Sequence, residues 1–156
     1  MTLKKYKPYL KSIALPLAVG AVSAIFTMKG MPYYDMQEKP FFTPPDFIFP
    51  IVWTILYILM RISAARIKQS SDPKKYQALK TYWLQLAVNF FWSVLFFGLH
   101  QYFLAFLWLL LLWALVLAMI LIFRKVDPLA AYLQIPYLLW LTFAAYLNFG
   151  VWFLNR

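Results

Sequence analysis

From Trp83 to Phe123 the sequence runs through 41 positions without a Lys, Arg, Asp or Glu. A span needs roughly 20 mostly apolar residues to cross about 30 Å of hydrocarbon, so this run holds two spans and the turn between them. Gly98, His100 and Gln101 cluster at its middle and predict helices over about 80–99 and 103–123. The other residues suit the same solvent: the 156-residue chain is 64% apolar and only 13% charged, where a soluble domain carries about 25% charged residues. Five spans of this size use about 100 residues and leave short loops; six leave almost no connections.

Ser12 to Met28 is uncharged and follows Lys4, Lys5, Lys7 and Lys11. Without a small-x-small cleavage site leading into a soluble domain, it reads as a first span over about 9–28 and not as a cleaved signal. Residues 29–46 hold Pro32, Pro40, Pro44 and Pro45 among acids and aromatics, a loop because proline fixes φ and removes donors. A helix over about 47–67 follows, with Pro50 in its first turn, where a missing N–H costs little. Lys68, Lys74, Lys75, Lys80, Asp72 and Pro73 mark an aqueous loop, and Arg124, Lys125, Asp127 and Pro128 mark another. The last helix covers about 129–153, with Pro136 inside it. The expectation is an all-α polytopic membrane protein, one domain over 1–156, built as a bundle of five transmembrane helices.

With five spans, the N-terminus and the second and fourth loops share one side. That side carries Lys4, Lys5, Lys7, Lys11, Arg61, Arg66, Lys68, Lys74, Lys75, Lys80, Arg124 and Lys125; the other carries Lys29, Lys39 and Arg156. The asymmetry follows the positive-inside rule and puts the N-terminus in the cytoplasm of a bacterial cell membrane. It also accounts for the net charge of +10 without nucleic acid, whose binders gather basic residues on a soluble face.

Ordinary catalytic sets are missing. Zero cysteines and one histidine exclude thiolate and His-rich metal sites. Asp35, Glu38, Asp46, Asp72 and Asp127 all fall in loops or at span ends, so no intramembrane carboxylate is available to couple transport to protons. The interior is instead aromatic, with seven Trp, 11 Tyr and 15 Phe. Trp83 and Trp152, near span ends, fit interfacial belts; Trp53, Trp92 and Trp140 sit deeper. Gln85, Asn89, Trp92 and Phe96 share one helical face, as do Phe49, Trp53 and Tyr57, and Trp140, Ala144 and Leu147. Such faces turn inward, either to bond helices together or to line a pocket with sparse polar anchors. The pairs Gly20 with Ala24 and Ala114 with Ala118 serve equally for packing within the bundle or between copies.

Three stretches carry a resemblance: Lys39-Pro40-Phe41-Phe42-Thr43-Pro44-Pro45 leading to Val52-Trp53-Thr54-Ile55-Leu56-Tyr57; Gln85-Leu86-Ala87-Val88-Asn89-Phe90-Phe91-Trp92 followed by Phe96-Phe97-Gly98; and Pro136-Tyr137-Leu138-Leu139-Trp140 running to Phe143 and Leu147-Asn148. In this order they resemble the TspO/MBR family, the tryptophan-rich sensory and translocator proteins or peripheral-type benzodiazepine receptors. The resemblance implies a single five-helix domain, a homodimer, and a pocket that opens toward the loop after helix 1. Implied ligands are tetrapyrroles such as protoporphyrin IX and haem, and isoquinoline carboxamide or benzodiazepine drugs. It points to Trp53, Asn89, Phe90, Trp140, Ala144 and Leu147 as ligand-binding positions and to Tyr33, Tyr34, Phe41, Phe42 and Pro44 as a lid.

The family pattern Pro-Val-Trp is here Pro50-Ile51-Val52-Trp53, one residue longer. The cholesterol motif of animal members lacks its Tyr and Arg, because Leu147-Asn148-Phe149 and Val151-Trp152-Phe153 stand there; cholesterol is not an expected partner. The reading is a tetrapyrrole receptor in which the ring stacks on Trp53 and Trp140, Asn89 bonds a polar substituent, and the basic or Tyr-rich first loop meets the propionates. Some bacterial members promote light- and oxygen-dependent protoporphyrin breakdown. Here the porphyrin would be its own photosensitiser, Trp53 and Trp140 electron donors, and no further cofactor or metal would be needed. A facilitative transporter of tetrapyrroles or small lipophiles and a regulatory sensor or scaffold are the alternatives.

Overall fold

The computed structural model describes residues 18, 20–22, 24, 25 and 27–156. The predicted start of the first helix, 9–17, and the N-terminal lysines lie outside the described residues. Among the described residues the chain is helical, with no strand. The described part of α1 continues to position 35, so the first loop begins later than position 29. After it come α2 (Ile48–Lys68), α3 (Lys75–Ser93), a π-helical turn (Val94–Gly98), α4 (Tyr102–Val126) and α5 (Pro128–Asn155). Three of these, α2, α4 and α5, are long and apolar enough to cross a membrane.

The boundaries follow from local chemistry. α5 starts where Asp127 Oδ1 accepts the amide of Leu129 at 3.1 Å and Pro128 fills the first helical position, where its missing donor is harmless. α5 continues through Pro136 to Asn155. α3 begins five residues earlier than the predicted position 80, because Lys74, Lys75 and Lys80 are good helix formers and a short turn at Asp72 suffices: Lys74 N–H donates to Asp72 Oδ1 at 2.9 Å. The predicted continuous helix to 99 instead widens into the π turn, where Leu99 N–H reaches the carbonyl of Val94 at 2.8 Å. The wider turn lets the consecutive residues Phe96 and Phe97 both be buried.

α4 packs against α5 and α3, and α2 packs against α5 and α3. Small residues sit at the helix contacts: Ala64, Ala65, Ala78, Ala105, Ala130 and Ala131 are all buried, which lets backbones approach where no hydrophobic effect drives helices together. α1 meets α2 where Gly20 faces the Tyr57 ring, and meets the π turn where Gly30 lies against the backbone of Phe97. The outward faces are apolar: Ile51, Ile55, Ile58 and Ile62 are exposed along one stripe of α2, and Leu104, Leu107 and Leu111 along α4. Ala114 and Ala118 are exposed on α4, whereas Gly20 and Ala24 line a cavity beside α2.

Two ends of the bundle are distinct. At one, Arg66 Nε lies 2.8 Å from Asp127 Oδ2 and ties α2 to the α4–α5 turn. At the other, the first loop meets the α3–α4 turn and the C-terminal end of α5. Tyr33 packs on His100 with ring centroids 4.0 Å apart, and Glu38 exchanges two hydrogen bonds with the Asn155 side chain, at 2.9 and 2.7 Å. Loops one and three and the C-terminus therefore share an end.

Candidate ligand pocket

At the loop-one end a cavity of about 750 Å³ lies between α1, α2, the α3–π segment and α5. Its volume is that of a small-molecule site. Aromatic walls come from Phe49, Trp53 and Tyr57 on α2 and from Trp92, Phe96 and Phe97; α1 supplies Gly20, Ala21, Ala24 and Met28, whose small or flexible side chains leave the space open. Rings pack around it edge-on and tilted. Trp53 lies 5.6 Å from Tyr57 and 6.4 Å from Trp92 between centroids, and Trp92 stacks on Phe96 at 5.2 Å.

Four of the six predicted ligand positions, Trp53, Asn89, Ala144 and Leu147, line this cavity. Trp140 and Phe90 are not among its lining residues. Trp140 backs the wall, edge-on to Trp53 at 6.5 Å and to Phe49 at 6.0 Å, and opens onto a shallow outer groove with Val52, Leu56 and Phe143. Phe90 is half-buried, with its ring 5.4 Å from that of Phe91. Of the predicted lid, Tyr34 is buried and lines the cavity. Tyr33 lies on His100, Pro44 is half-buried, and Phe41 and Phe42 point outward, 77% and 75% exposed. Phe42 sits at φ 71°, a left-handed turn that aims it away from the bundle.

The polar wall groups bond mainly to one another. Tyr57 Oη donates to Asn89 Oδ1 at 2.8 Å, Asn89 Nδ2 donates to Tyr137 Oη at 2.7 Å, and Tyr137 Oη donates to Gln85 Oε1 at 2.8 Å. Trp92 Nε1 donates to Asn148 Oδ1 at 3.0 Å, and Asn148 Nδ2 to the carbonyl of Tyr102 at 2.8 Å. The inward stripe of Gln85, Asn89 and Trp92 thus holds α2, α3 and α5 together while two of its members face the cavity. Asn148 and Tyr137 escaped the sequence reading. Their signal was helical phase: Asn148 falls one turn after Ala144, and Tyr137 two turns before it.

Among the described residues, the charged groups lining the cavity are Asp35 and Asp46, and no Lys or Arg lines it. Lys39, the nearby basic residue of the loop, donates to the Asp35 carbonyl at 3.3 Å and lies 5.0 Å from the centre of the Tyr34 ring. The loop-one end thus brings Tyr34, Asp35 and Asp46 to the cavity lining, while Lys39 stays outside it. Burial, and then the Asp35 carboxyl beside it, push the Asp46 carboxyl above the usual carboxylate range, against the pull of Lys39.

A profile of the TspO/MBR family matches residues 12–153. The chain is 40% identical to Protein CrtK of Rhodobacter capsulatus, with 99% of this chain and 95% of that protein covered. It is 38% identical to the tryptophan-rich protein TspO of Chlorobaculum tepidum, covering 92% of each. It is also 38% identical to the translocator protein of Ovis aries, covering 80% of this chain and 75% of the relative. With apolar helices of spanning length and this similarity over nearly all of its sequence, the chain is an integral membrane protein and belongs to the TspO/MBR family.

Proposed function

We propose that this protein is a five-span membrane receptor that holds a flat, largely apolar ligand of the tetrapyrrole class in the cavity between α1, α2, the α3–π segment and α5. The observation that carries this reading is the wall itself, about 750 Å³ enclosed by Trp53, Tyr57, Trp92, Phe96 and Phe49. Aromatic faces suit stacking on a conjugated ring. Because Asn89, Trp92 and Asn148 bond within the protein, recognition rests on shape and stacking more than on directed hydrogen bonds. Isoquinoline carboxamide and benzodiazepine drugs fit the same description.

The N-terminus is assigned to the cytoplasm of a bacterial cell membrane by the charge asymmetry of the loops, and the homodimer by family resemblance. No resident cofactor enters this reading; the porphyrin is ligand or substrate. For light-dependent breakdown, Trp53 lies in the wall and Trp140 directly behind it, a spacing that suits electron transfer to a photoexcited ring.

The test is a dark titration of purified protein with protoporphyrin IX and with its dimethyl ester, followed by illumination with and without oxygen while the Soret band is recorded. Saturable binding of the macrocycle is expected. If neither form binds saturably, the receptor reading fails. Binding without accelerated bleaching leaves a receptor with no degradative activity.

A further inference from the structure

We infer that the bundle carries a second site, separate from the cavity, where Arg61 of α2 and Tyr82 of α3 hold a small oxyanion, a carboxylate or phosphate group, in the half that ends at Arg66 and Asp127. The inference goes beyond the receptor reading, since neither residue lines the cavity. Its basis is a charge without a counter-ion. Arg61 stands five residues deeper in α2 than Arg66, about 7.5 Å of helix, and is the only Lys, Arg, Asp or Glu from 47 to 65.

No carboxylate side chain of this sequence is placed to serve it. Asp127 is paired with Arg66, and Asp72 accepts the Lys74 amide in the α2–α3 turn. Asp35, Glu38 and Asp46 lie at the loop-one end, and residues 1–34 contain no acid. A guanidinium within a span is costly to leave unpaired, and intramembrane cations sit against a partner or a polar cavity.

What Arg61 meets is another polar group in want of a partner. It faces Tyr82 closely enough for the two to interact electrostatically, and Tyr82 is fully buried with its hydroxyl unbonded. Arg61 Nε is also buried and unbonded. So is Nε2 of Gln85, one turn from Tyr82 on the same face of α3, while its Oε1 is taken by Tyr137. A guanidinium fork with N–H and O–H neighbours matches the oxygens of a carboxylate or phosphate in shape and charge. Water would satisfy the donors but leave the charge. Arg61 is half-buried, so the site can be reached from outside the bundle, by an anion in solution or by the headgroup of a lipid. An oxyanion held here joins α2 to α3 one turn below the Tyr57 to Asn89 bond and clamps two helices of the aromatic wall.

The experiment follows thermal unfolding of the full chain by tryptophan fluorescence in dodecyl maltoside freed of phospholipid, at an ionic strength fixed with sodium chloride. One arm titrates acetate and phosphate, the other phosphatidylglycerol. A ligand of the folded state raises the midpoint along a saturating curve; exclusion of salt from the surface raises it without saturation. A saturating rise is expected with acetate or phosphate, or with phosphatidylglycerol alone where the oxyanion is a headgroup. Arg61→Gln should abolish it. Tyr82→Phe should weaken the apparent affinity by about tenfold, the loss of one hydrogen bond to a charged group. Lys125→Gln, an equal charge loss at the same end, should leave it intact.

No saturating rise of the wild-type midpoint in either arm overturns the inference, as does a rise of the same size in Arg61→Gln. The wild-type curve needs no variant, so a folding defect in Arg61→Gln does not rescue the idea. The assay contains no porphyrin, and its outcome is independent of the receptor reading.

Discussion

The Tyr57 hydroxyl donates to Asn89 Oδ1 at 2.8 Å in the buried centre of the bundle. The same amide donates onward to Tyr137, so one side chain of α3 binds α2 to α5 immediately beneath the cavity. A residue that reads from sequence as a ligand anchor is therefore also the bolt of the pocket floor.

Asn89→Leu should lower stability by about 1–3 kcal/mol, the cost of leaving buried partners unpaired. Tyr57→Phe should cost less, about 1 kcal/mol, since the amide keeps Tyr137. Thermal unfolding in detergent, followed by tryptophan fluorescence, measures both. An Asn89→Leu protein of parental stability and reduced ligand affinity would instead make Asn89 an anchor only.

Trp53 and Trp140 should separate in a binding assay. Trp53 faces the cavity and Trp140 stands behind it, so Trp53→Ala is expected to weaken porphyrin binding by about tenfold or more, in line with loss of a stacking partner. Trp140→Phe keeps an edge against Phe49 and should change affinity by less than about threefold. Under illumination, a Trp53→Phe/Trp140→Phe double variant that bleaches bound protoporphyrin at the parental rate rules out the indoles as electron donors.

Asn155 fastens the first loop to α5 through Glu38, and Tyr146 Oη adds a bond to the Phe41 carbonyl at 2.6 Å. Asn155→Ala should loosen that loop with little change in global stability. Hydrogen exchange over residues 36–46 is expected to accelerate by about tenfold for each 1.4 kcal/mol of lost local stability, while amides of α4 stay protected.

Gly30 sits so close to the Phe97 backbone that an added Cβ would overlap the peptide itself. Backbone cannot rotate aside as a side chain can, so Gly30→Ala should separate α1 from the π turn and cost about 1–3 kcal/mol. Ligand affinity should fall with it, because that seam closes one side of the cavity. Gly20→Ala, which meets only the movable Tyr57 ring, should be milder by both measures.

Much of the site could be read from helical phase. Trp53 with Tyr57, Asn89 with Trp92, and Ala144 with Leu147 recur at spacings that put them on common faces, and those faces do enclose the cavity. Phase alone misjudged depth. Trp140 shares a stripe with Ala144 and Leu147 yet lies a turn away, where α5 meets Phe49 and not open space. Phe41 and Phe42 belong to the loop over the pocket, but a left-handed residue turns them outward. Nor was the π turn legible, since one shifted hydrogen bond at Leu99 leaves no mark on the hydrophobic pattern.

By itself the sequence determined the solvent, the helices and the inward aromatic faces, because burial of apolar surface and backbone hydrogen bonding in lipid are local and periodic demands. The charge of the pocket mouth was decided only by tertiary structure. Asp35 and Asp46 are separated by a proline-rich loop, and no periodicity relates them; they converge because Asn155, Tyr146 and Gly150 of α5 hold that loop in place. Two carboxylates of an otherwise basic chain thereby come to line one cavity, where no Lys or Arg joins them among the described residues.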